Sequence, residues 1–528
     1  SPCPIEARSP TMHDHVAAPA GRLPASRRSP ARVSAMVLSA LLALLLSVLA
    51  VRAPLRPSAL TMAVSSRRTQ MPQLWVRGAA PSCRRLEGPA DGTPMRFCED
   101  ARVVPELGIA LFSCDPGRLA WNVVMGPLTD PKPRGALFLH AYTQPGAQPE
   151  RLQIEGFPPA RSFHPLGVAL WPESKLRARV FVVNHAERAT GIEVIDLRRA
   201  GVGQRWYARY VRTLQHPLAT HAANSIAPLS KHAFVVTNTH TVLRRPTPAP
   251  QFAETLAGLY GALVSRLLTP VLAHPAAGRY LSFLDEMLAL GFVSYVRFDD
   301  EPADTEEAPR RAEAEDRAFR AGVDAWPLKR ALAFPNGVGF APGLQNLVVA
   351  STIYPGVALF PVQRWRSDNV PDWAHREVLG TPQRIATPFF ADNLVVLPLG
   401  QRSGPAGHRV LPEDPLGGAS GLITGPPSVP DLTDMIANKA DAAHRAGSWA
   451  VEIRYTGQTV PDDAPFPVQA SAPAPPHGWS VRTVLESSGM GPGVSLASGT
   501  ALVYGDGQAI ATGLYDTPVQ CTAVDLDA

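Results

Sequence analysis

A series of short apolar runs, separated by turns rich in proline, glycine and aspartate, most constrains the fold of this chain. The runs lie at 108–113, 135–140, 179–184, 191–197, 232–238, 346–352, 356–362, 393–399, 449–455, 500–505 and 509–515. Many short β-type runs at scattered intervals predict a β-sandwich or a β-propeller. No repeat of fixed period is visible, so self-similarity does not choose between these two folds.

The first 80 residues differ in composition from the rest. Residues 1–32 form a basic tail, 33–51 form an uncharged apolar segment, and 52–80 form a linker. Because nineteen uncharged residues in a helix nearly span a hydrocarbon core, we expect 33–51 to be a transmembrane signal anchor, with a cleaved signal peptide as the alternative. Either segment would place residues 81–528 in the secretory pathway, in the lumen or outside the cell.

The net charge of +5 is concentrated at the N-terminus. Residues 1–70 hold nine arginines against two acidic residues, so the remainder of the chain is slightly negative. This balance argues against a nucleic-acid-binding surface.

Four cysteines follow the apolar segment: Cys83, Cys98, Cys114 and Cys521. An oxidising compartment permits disulfides, and four cysteines allow three pairings. Cys98 and Cys114 bracket one strand-like run, and both a bond between them and two free thiols stay open.

Two windows have apolar residues at spacings of three and four, 252–272 and 280–296, and they predict helices. We expect them to cover the β domain, and a membrane-facing amphipathic role is the alternative. Two further stretches have the composition of insertions, near 299–320 with a dense mixture of charges, and near 400–475 with many Pro, Gly, Ala and Ser.

Four patches place Asn, Asp or Glu next to an apolar strand: 98–100, 223–226, 335–338 and 391–394. Each alone is typical of a turn or a strand end. Together they supply carboxylate and carboxamide oxygens, a group of ligands that suits Ca²⁺ and does not suit zinc.

Six landmark segments follow one another in the order found in a known family. They lie at 98–114, 161–170, 180–197, 224–240, 334–342 and 390–397. The chain is similar, from about Cys83 to Cys521, to the serum paraoxonase/arylesterase family within the gluconolactonase-like superfamily. This resemblance implies an all-β, six-bladed β-propeller over 81–528 with a central calcium, and a Cys83–Cys521 disulfide that closes the ring.

The resemblance also implies the calcium ligands. By motif matching, the catalytic calcium would be held by Glu99, Asn224, Asn336, Asp392 and Asn393. A second, structural calcium would use Asp100, the carbonyl of Val168 and residue 225. Ser225 replaces a carboxylate of the family at this last position, so we expect the second site to be weak or lost.

The family's histidine dyad is incomplete in this sequence. Leu166 stands where the histidine nearest the ion is expected, and His185 matches its partner. His240 matches another family histidine, and His408 matches one by spacing alone. His164, two residues before Leu166, is a candidate substitute on the same strand face. Loss of a general base can cost about 10²–10⁴-fold in rate.

The expected function is calcium-dependent hydrolysis of a small aryl ester or lactone by a membrane-anchored propeller, with His185, His240 and His164 as the catalytic candidates. The alternative, which Leu166 favours, is a non-catalytic, calcium-stabilised propeller that binds a lipid or a protein. A gluconolactonase-like or strictosidine-synthase-like enzyme would share the fold, but the landmarks support it less.

Overall fold

A computed structural model describes residues 71–89, 94–241, 244, 289–300, 318–363, 378–398, 411–438, 443–458, 460–466 and 473–526. These residues form six sheets of four or five strands, which are antiparallel except for one parallel pair at the edge of the second sheet. The first two strands of the chain, β1 (Trp75–Val76) and β2 (Ser82–Arg85), join the fifth and the sixth sheet.

The first three sheets follow one another along the chain. The first contains β3 (Cys98–Val104), β4 (Ile109–Cys114), β5 (Ala136–His140) and β6 (Glu150–Arg151). The second contains β7 (Ile154–Glu155), β8 (Pro165–Ser174), β9 (Arg177–Asn184), β10 (Gly191–Arg199) and β11 (Trp206–Leu214), with β7 parallel to β11. The third contains β12 (Ala223–Ser230), β13 (Ala233–Asn238), β14 (Gly291–Phe298) and β15 (Val323–Leu332).

The last three sheets continue this order. The fourth contains β16 (Pro335–Phe340), β17 (Asn346–Ser351), β18 (Gly356–Pro361) and β19 (Gln383–Ala386). The fifth contains β20 (Leu394–Pro398), β21 (Ala419–Gly425), β22 (Ser448–Tyr455) and β23 (Trp479–Ser487), with β1 at its edge. The sixth contains β24 (Gly499–Gly505), β25 (Gln508–Gly513) and β26 (Val519–Thr522), with β2 at its edge.

The innermost strand of each sheet contacts the innermost strand of the next, and β24 contacts β3 to complete the ring. The sequence prediction of a six-bladed β-propeller is therefore confirmed. Apolar clusters fill the space between neighbouring blades, as where Leu111 and Leu137 of the first blade pack with Val168 and Val180 of the second. Every run predicted as a strand from the sequence overlaps a strand of a blade.

Two disulfides stabilise this ring. Cys83 on β2 is bonded to Cys521 on β26, with Cα atoms 4.1 Å apart, so the start and the end of the propeller meet in one blade as predicted. Cys98 and Cys114 are bonded across β3 and β4, which settles the alternative that the sequence left open. Two disulfides indicate that the protein folds in an oxidising environment.

The prediction of a helical cover is wrong in part. Residues 291–296 belong to strand β14 and not to a helix, because their alternating side chains are buried between neighbouring blades. Residues 289 and 290 precede this strand and are not helical, and the remaining residues of the two windows lie outside the described residues. Described helices are few and short: α1 (Val429–Ala437), capped by Ser428, and 3₁₀ turns at Pro105–Leu107, Pro116–Leu119 and Pro342–Leu344.

The predicted insertion over 400–475 was drawn too widely, because this stretch contains two blade strands, β21 and β22, and helix α1. Most of the predicted insertion over 299–320 lies outside the described residues, as does the predicted anchor over 33–51. Within the described part of the chain, no helix is long and apolar enough to cross a membrane.

Candidate metal centre

Four of the five predicted calcium ligands contact one another at the inner strands. The Asn393 side chain donates from Nδ2 to Glu99 Oε1 at 3.0 Å. Asn336 donates from Nδ2 to Asp392 Oδ1. Glu99 lies on β3, Asn336 on β16, and Asp392 and Asn393 directly precede β20, so three blades contribute to this group.

Asn224, the fifth predicted ligand, lies on the inner strand β12 and is buried. Its Oδ1 atom lacks a hydrogen-bond partner among the described residues, as do oxygen atoms of three other predicted ligands. Each is a buried oxygen that has no hydrogen-bond partner among the described residues: Glu99 Oε2, Asn224 Oδ1, Asn336 Oδ1 and Asn393 Oδ1. Buried polar atoms are normally hydrogen-bonded, so a group of acceptors without donors indicates a place for a cation. We call Glu99, Asn224, Asn336, Asp392 and Asn393 the floor.

Close approach of the inner strands explains how residues from separate blades reach the floor. A Cβ atom on Gly167 of β8 would lie 2.0 Å from the Asn224 carbonyl oxygen, and one on Gly337 of β16 would lie 2.3 Å from the Leu394 amide nitrogen. Only glycine permits these distances.

β-Bulges aim the side chains of the floor. The register of the inner strand against its neighbour shifts in five of the six blades, between 98 and 100, 165 and 168, 223 and 226, 335 and 338, and 499 and 501. A bulge adds a residue to one strand and turns a side chain that the regular alternation would send elsewhere. Glu99, Asn224 and Asn336 all lie at these shifts.

The carboxylates of the floor are poorly solvated. The pKa of Glu99 is raised well above its usual value by burial first, and then by the nearby charges of Asp100 and Asp392. Removal from water also raises the pKa of Asp392 to about 7, although its side chain is only partly buried. A divalent cation at the floor would favour the ionised form of both groups.

The donor chemistry fits calcium better than a transition metal. Across the described residues, no group of three or more His, Cys, Asp and Glu side chains is placed to hold a metal ion. A metal at the floor would therefore depend on carboxamide as well as carboxylate oxygens, and such oxygen ligands are typical of calcium.

The residues predicted for a second calcium fit a cation less well. Asp100 already accepts hydrogen bonds from Arg102 Nη1 at 2.7 Å, from the Ala101 amide at 2.9 Å and from the Val168 amide at 3.0 Å. Ser225 is buried, and its Oγ has no partner within the described residues. Arg102 thus supplies the positive charge beside Asp100.

His164, the predicted substitute base, is held in a structural arrangement. Its Nδ1 lies 3.0 Å from Asp115 Oδ2, and its Nε2 lies 2.9 Å from the Pro131 carbonyl oxygen. Both ring nitrogens face acceptors, so the imidazole serves as a buried donor between two loops.

His185 and His240 are buried near the inner strands. The His185 Nε2 atom donates to the carbonyl oxygen of Ala223, the residue before Asn224, at 2.9 Å. His240 Nδ1 lies 2.7 Å from Thr239 Oγ1, and its ring packs edge-on against Phe334 at 4.8 Å between centroids. His408 lies outside the described residues.

Leu166 packs in the apolar cluster between the second and third blades, with Ala169, Phe181 and Ala219. A leucine, and not a histidine, therefore occupies the position at which the resemblance implies a base. Arg118, which sequence reasoning missed, is buried beside this position and donates from Nη2 to the Pro165 carbonyl oxygen at 3.0 Å. A single arginine in a Pro-Gly turn gives no signal in the sequence.

No protein-family model matches this chain, and no curated protein sequence matches it. Among solved structures, it is similar to a luciferin-regenerating enzyme at 7% identity and a TM-score of 0.39, over 85% of this chain and 96% of that one. It is also similar to a hypothetical selenium-binding protein from Sulfolobus tokodaii at 8% identity and a TM-score of 0.29, over 75% of this chain and 70% of that one. Similarities this low carry no argument about the site.

Proposed function

We propose that this protein is a calcium-dependent hydrolase of aryl esters or lactones, of the paraoxonase/arylesterase type. The observation that carries the proposal is the group of buried, unpartnered oxygens at the floor. These atoms belong to residues that the sequence resemblance assigns to the catalytic calcium. Fold alone would not support an activity, because propellers serve many functions.

The residues of the floor would bind and orient the ion and the substrate. When bound, calcium would polarise the ester carbonyl as a Lewis acid. The Asn393 and Asn336 amide groups fix one oxygen each of Glu99 and Asp392, which leaves the remaining oxygens of these carboxylates for the ion. His185 is the candidate for moving a proton, because its ring is hydrogen-bonded to the carbonyl oxygen of Ala223 and so lies close to Asn224 of the floor.

The test is hydrolysis of phenyl acetate and of δ-valerolactone by the purified full chain, with calcium and with EGTA. We expect turnover that EGTA abolishes and added calcium restores. Turnover that EGTA leaves unchanged would contradict the proposed mechanism.

A second candidate function is a non-catalytic propeller, stabilised by calcium, that binds a lipid or a protein partner. The apolar packing of Leu166 favours it, because the position lacks a base and could not accept one without repacking. This function predicts that calcium raises the melting temperature while no ester or lactone is hydrolysed. The melting temperature and the rate of hydrolysis, each measured with calcium and with EGTA, therefore separate the two candidate functions.

A further inference from the structure

The β10–β11 hairpin of the second blade presents two apolar side chains to solvent. The turn 200–205 joins the two strands, and Val202 in this turn is 75% exposed. Tyr207, near the start of β11, is 65% exposed, whereas every other large apolar side chain of the described residues is at most 38% exposed. Single exposed apolar residues are common, but two on one hairpin indicate a surface that makes contacts outside the chain.

Basic residues surround this hairpin. Residues 171–179, from the β8–β9 hairpin, and residues 196–209 together contain seven basic and two acidic residues, although the chain after residue 70 is slightly negative as a whole. The positive charge is therefore concentrated locally. The basic residues are Lys175, Arg177, Arg179, Arg198, Arg199, Arg205 and Arg209, and the acidic ones are Glu173 and Asp196.

The strand register brings two of these arginines together. Arg198 on β10 lies opposite Arg177 on β9 and opposite Tyr207 on β11. Residues directly opposite each other in neighbouring strands share one face of the sheet, and like charges placed in this way destabilise the pair. Arg177 is exposed and forms no ion pair with another described residue. Stability of the blade therefore does not explain why both positions carry a positive charge.

The next row of the same face is neutralised only in part. Asp196 lies opposite Arg179 and Arg209, and it forms ion pairs with Arg179 Nε at 2.9 Å and Arg198 Nη2 at 2.6 Å. Asp300 is also paired with Arg179, at 2.6 Å. Arg209 is exposed and has no ion pair within the described residues. We call Arg177, Arg179, Arg198, Tyr207 and Arg209 the basic face.

Arg199 fixes the turn next to the basic face. Its Nε and Nη2 atoms donate to the Lys175 carbonyl oxygen at 3.0 and 2.8 Å, so it joins the ends of the two hairpins. Its guanidinium also lies 4.5 Å from the centre of the Trp206 ring. Arg205, at the end of the turn, is 66% exposed and only 3.5 Å from Glu150, which is 67% exposed. Exposed pairs of this kind are weak, so Arg205 keeps most of its charge available.

We propose that the basic face and the turn 200–205 dock onto an anionic phospholipid surface. The excess of arginines complements the negative headgroups, and Val202 and Tyr207 would enter the boundary between headgroups and acyl chains. An acidic protein would also complement the charge, but the exposed valine between basic residues and the exposed tyrosine favour a membrane interface. The inference does not depend on calcium and holds for either candidate function.

The test is hydrogen–deuterium exchange of the full chain with vesicles of equal parts phosphatidylcholine and phosphatidylserine, and with vesicles of phosphatidylcholine alone. We expect the anionic vesicles to slow exchange in the turn 200–205 and the neutral vesicles to leave it unchanged. The turn 352–355 between β17 and β18, in the fourth blade, is the internal control. This measurement is local, so attachment of the N-terminal residues to a vesicle does not by itself produce the expected result.

Two variants separate the contributions of charge and of apolar contact. Arg177→Gln combined with Arg205→Gln should raise the anionic lipid concentration for half-maximal protection about 25-fold, because each cation contributes about fivefold. Val202→Ser keeps every charge and should raise this concentration several-fold. Arg330→Gln combined with Arg384→Gln, at exposed arginines of the third and fourth blades, is the matched control and should behave like the wild type.

Four results would overturn the proposal. The first is unchanged exchange in the turn with anionic vesicles, and the second is equal slowing by neutral ones. The third is equal slowing by polyglutamate without lipid, which would identify an acidic polypeptide as the partner. The fourth is faster exchange in the turn of the Arg177→Gln, Arg205→Gln variant without any vesicle, which would show that an acidic segment of the same chain, such as 301–317, already covers this face.

Discussion

Glu99 and Asp100 are neighbours in sequence, yet they contact different partners. The register of β3 against β4 shifts between Cys98 and Asp100, so Glu99 turns to the floor and meets Asn393. Asp100 turns to β8 and is neutralised by Arg102. Two adjacent carboxylates can therefore be buried in one strand, because Asn393 donates a hydrogen bond to one and Arg102 forms an ion pair with the other.

At the scale of single residues, we predict that Asn336→Ala weakens calcium binding by tenfold or more. The change removes one oxygen from the floor and the donor that orients Asp392, and calcium requires six to eight oxygen ligands. Calorimetric titration with calcium measures the effect. Asn346→Ala is the matched control, because Asn346 donates to the Pro415 carbonyl oxygen and is not part of the floor. Equal calcium affinity in both variants would remove Asn336 from the site.

We also predict that Leu166→His raises the turnover of phenyl acetate without changing calcium affinity. A positioned base supplies about 10²–10⁴-fold, and a histidine that its surroundings do not orient should recover only part of this. Stability should fall by about 1–3 kcal/mol, because an imidazole without partners would replace a leucine in an apolar cluster. A folded, calcium-binding variant without any gain on esters or lactones would favour the non-catalytic propeller.

At the scale of elements, the outer strands were easier to predict than the inner ones. The runs at 191–197 and 346–352 are rich in β-branched and other apolar residues, and both form strands outside the innermost position of their blades. The inner strands β12 and β16 contain Asn, Ser, Pro and Gly, which are typical of turns. These residues occur there because the first residues of both strands form the floor or lie very close to the backbone of a neighbouring strand.

The floor could be anticipated only through a resemblance. Asn224 and Asn336 are more than a hundred residues apart, and no periodic pattern relates them. The bulges that turn these side chains are not visible in the sequence, because a bulge depends on the pairing of two strands. The partners of His164, Asp115 and Pro131, were missed for a similar reason, since loops from two parts of the chain bring them together.

The fifth blade contains a buried carboxyl group that makes its stability depend on pH. Glu486 of β23 is fully buried opposite Trp449 of β22. Burial, and then the negative charge of Asp462, raises the pKa of Glu486 to about 8. The folded protein thus holds this proton more tightly than the unfolded chain, in which the pKa is about 4.3. The stabilisation is complete below about pH 4 and is lost as the pH rises to about 8.

We therefore predict that Glu486→Gln makes the protein more stable than the wild type at pH 9, with a smaller difference at pH 5. Glutamine keeps the shape of the side chain and cannot ionise. Urea unfolding at both pH values measures the difference. Glu150→Gln, at a carboxylate that is 67% exposed, should show no such pH dependence. A difference that is the same at pH 5 and pH 9 would show that ionisation of Glu486 is not its cause.

At the scale of the whole molecule, the propeller is closed by its own N-terminal strands. β2 pairs with β26 and completes the sixth blade, and β1 pairs with β23 at the edge of the fifth. A closed ring keeps the inner strands close, and the residues of the floor come from separate blades. The geometry of the floor therefore depends on closure of the ring.

The two disulfides allow this dependence on closure to be measured. The Cys83–Cys521 bond joins residues 438 positions apart, and the Cys98–Cys114 bond joins residues 16 positions apart. In the chain-entropy model, loops of these lengths correspond to at most roughly 6 and roughly 3 kcal/mol of stabilisation. We predict that replacing Cys83 and Cys521 by serine lowers the free energy of unfolding more than the same change at Cys98 and Cys114, as measured by urea unfolding without reductant. The open-ring variant should also bind calcium more weakly, because the blades that carry the floor are no longer fixed. A larger loss of stability from the Cys98–Cys114 variant would show that the local pair, and not closure of the ring, holds the propeller together.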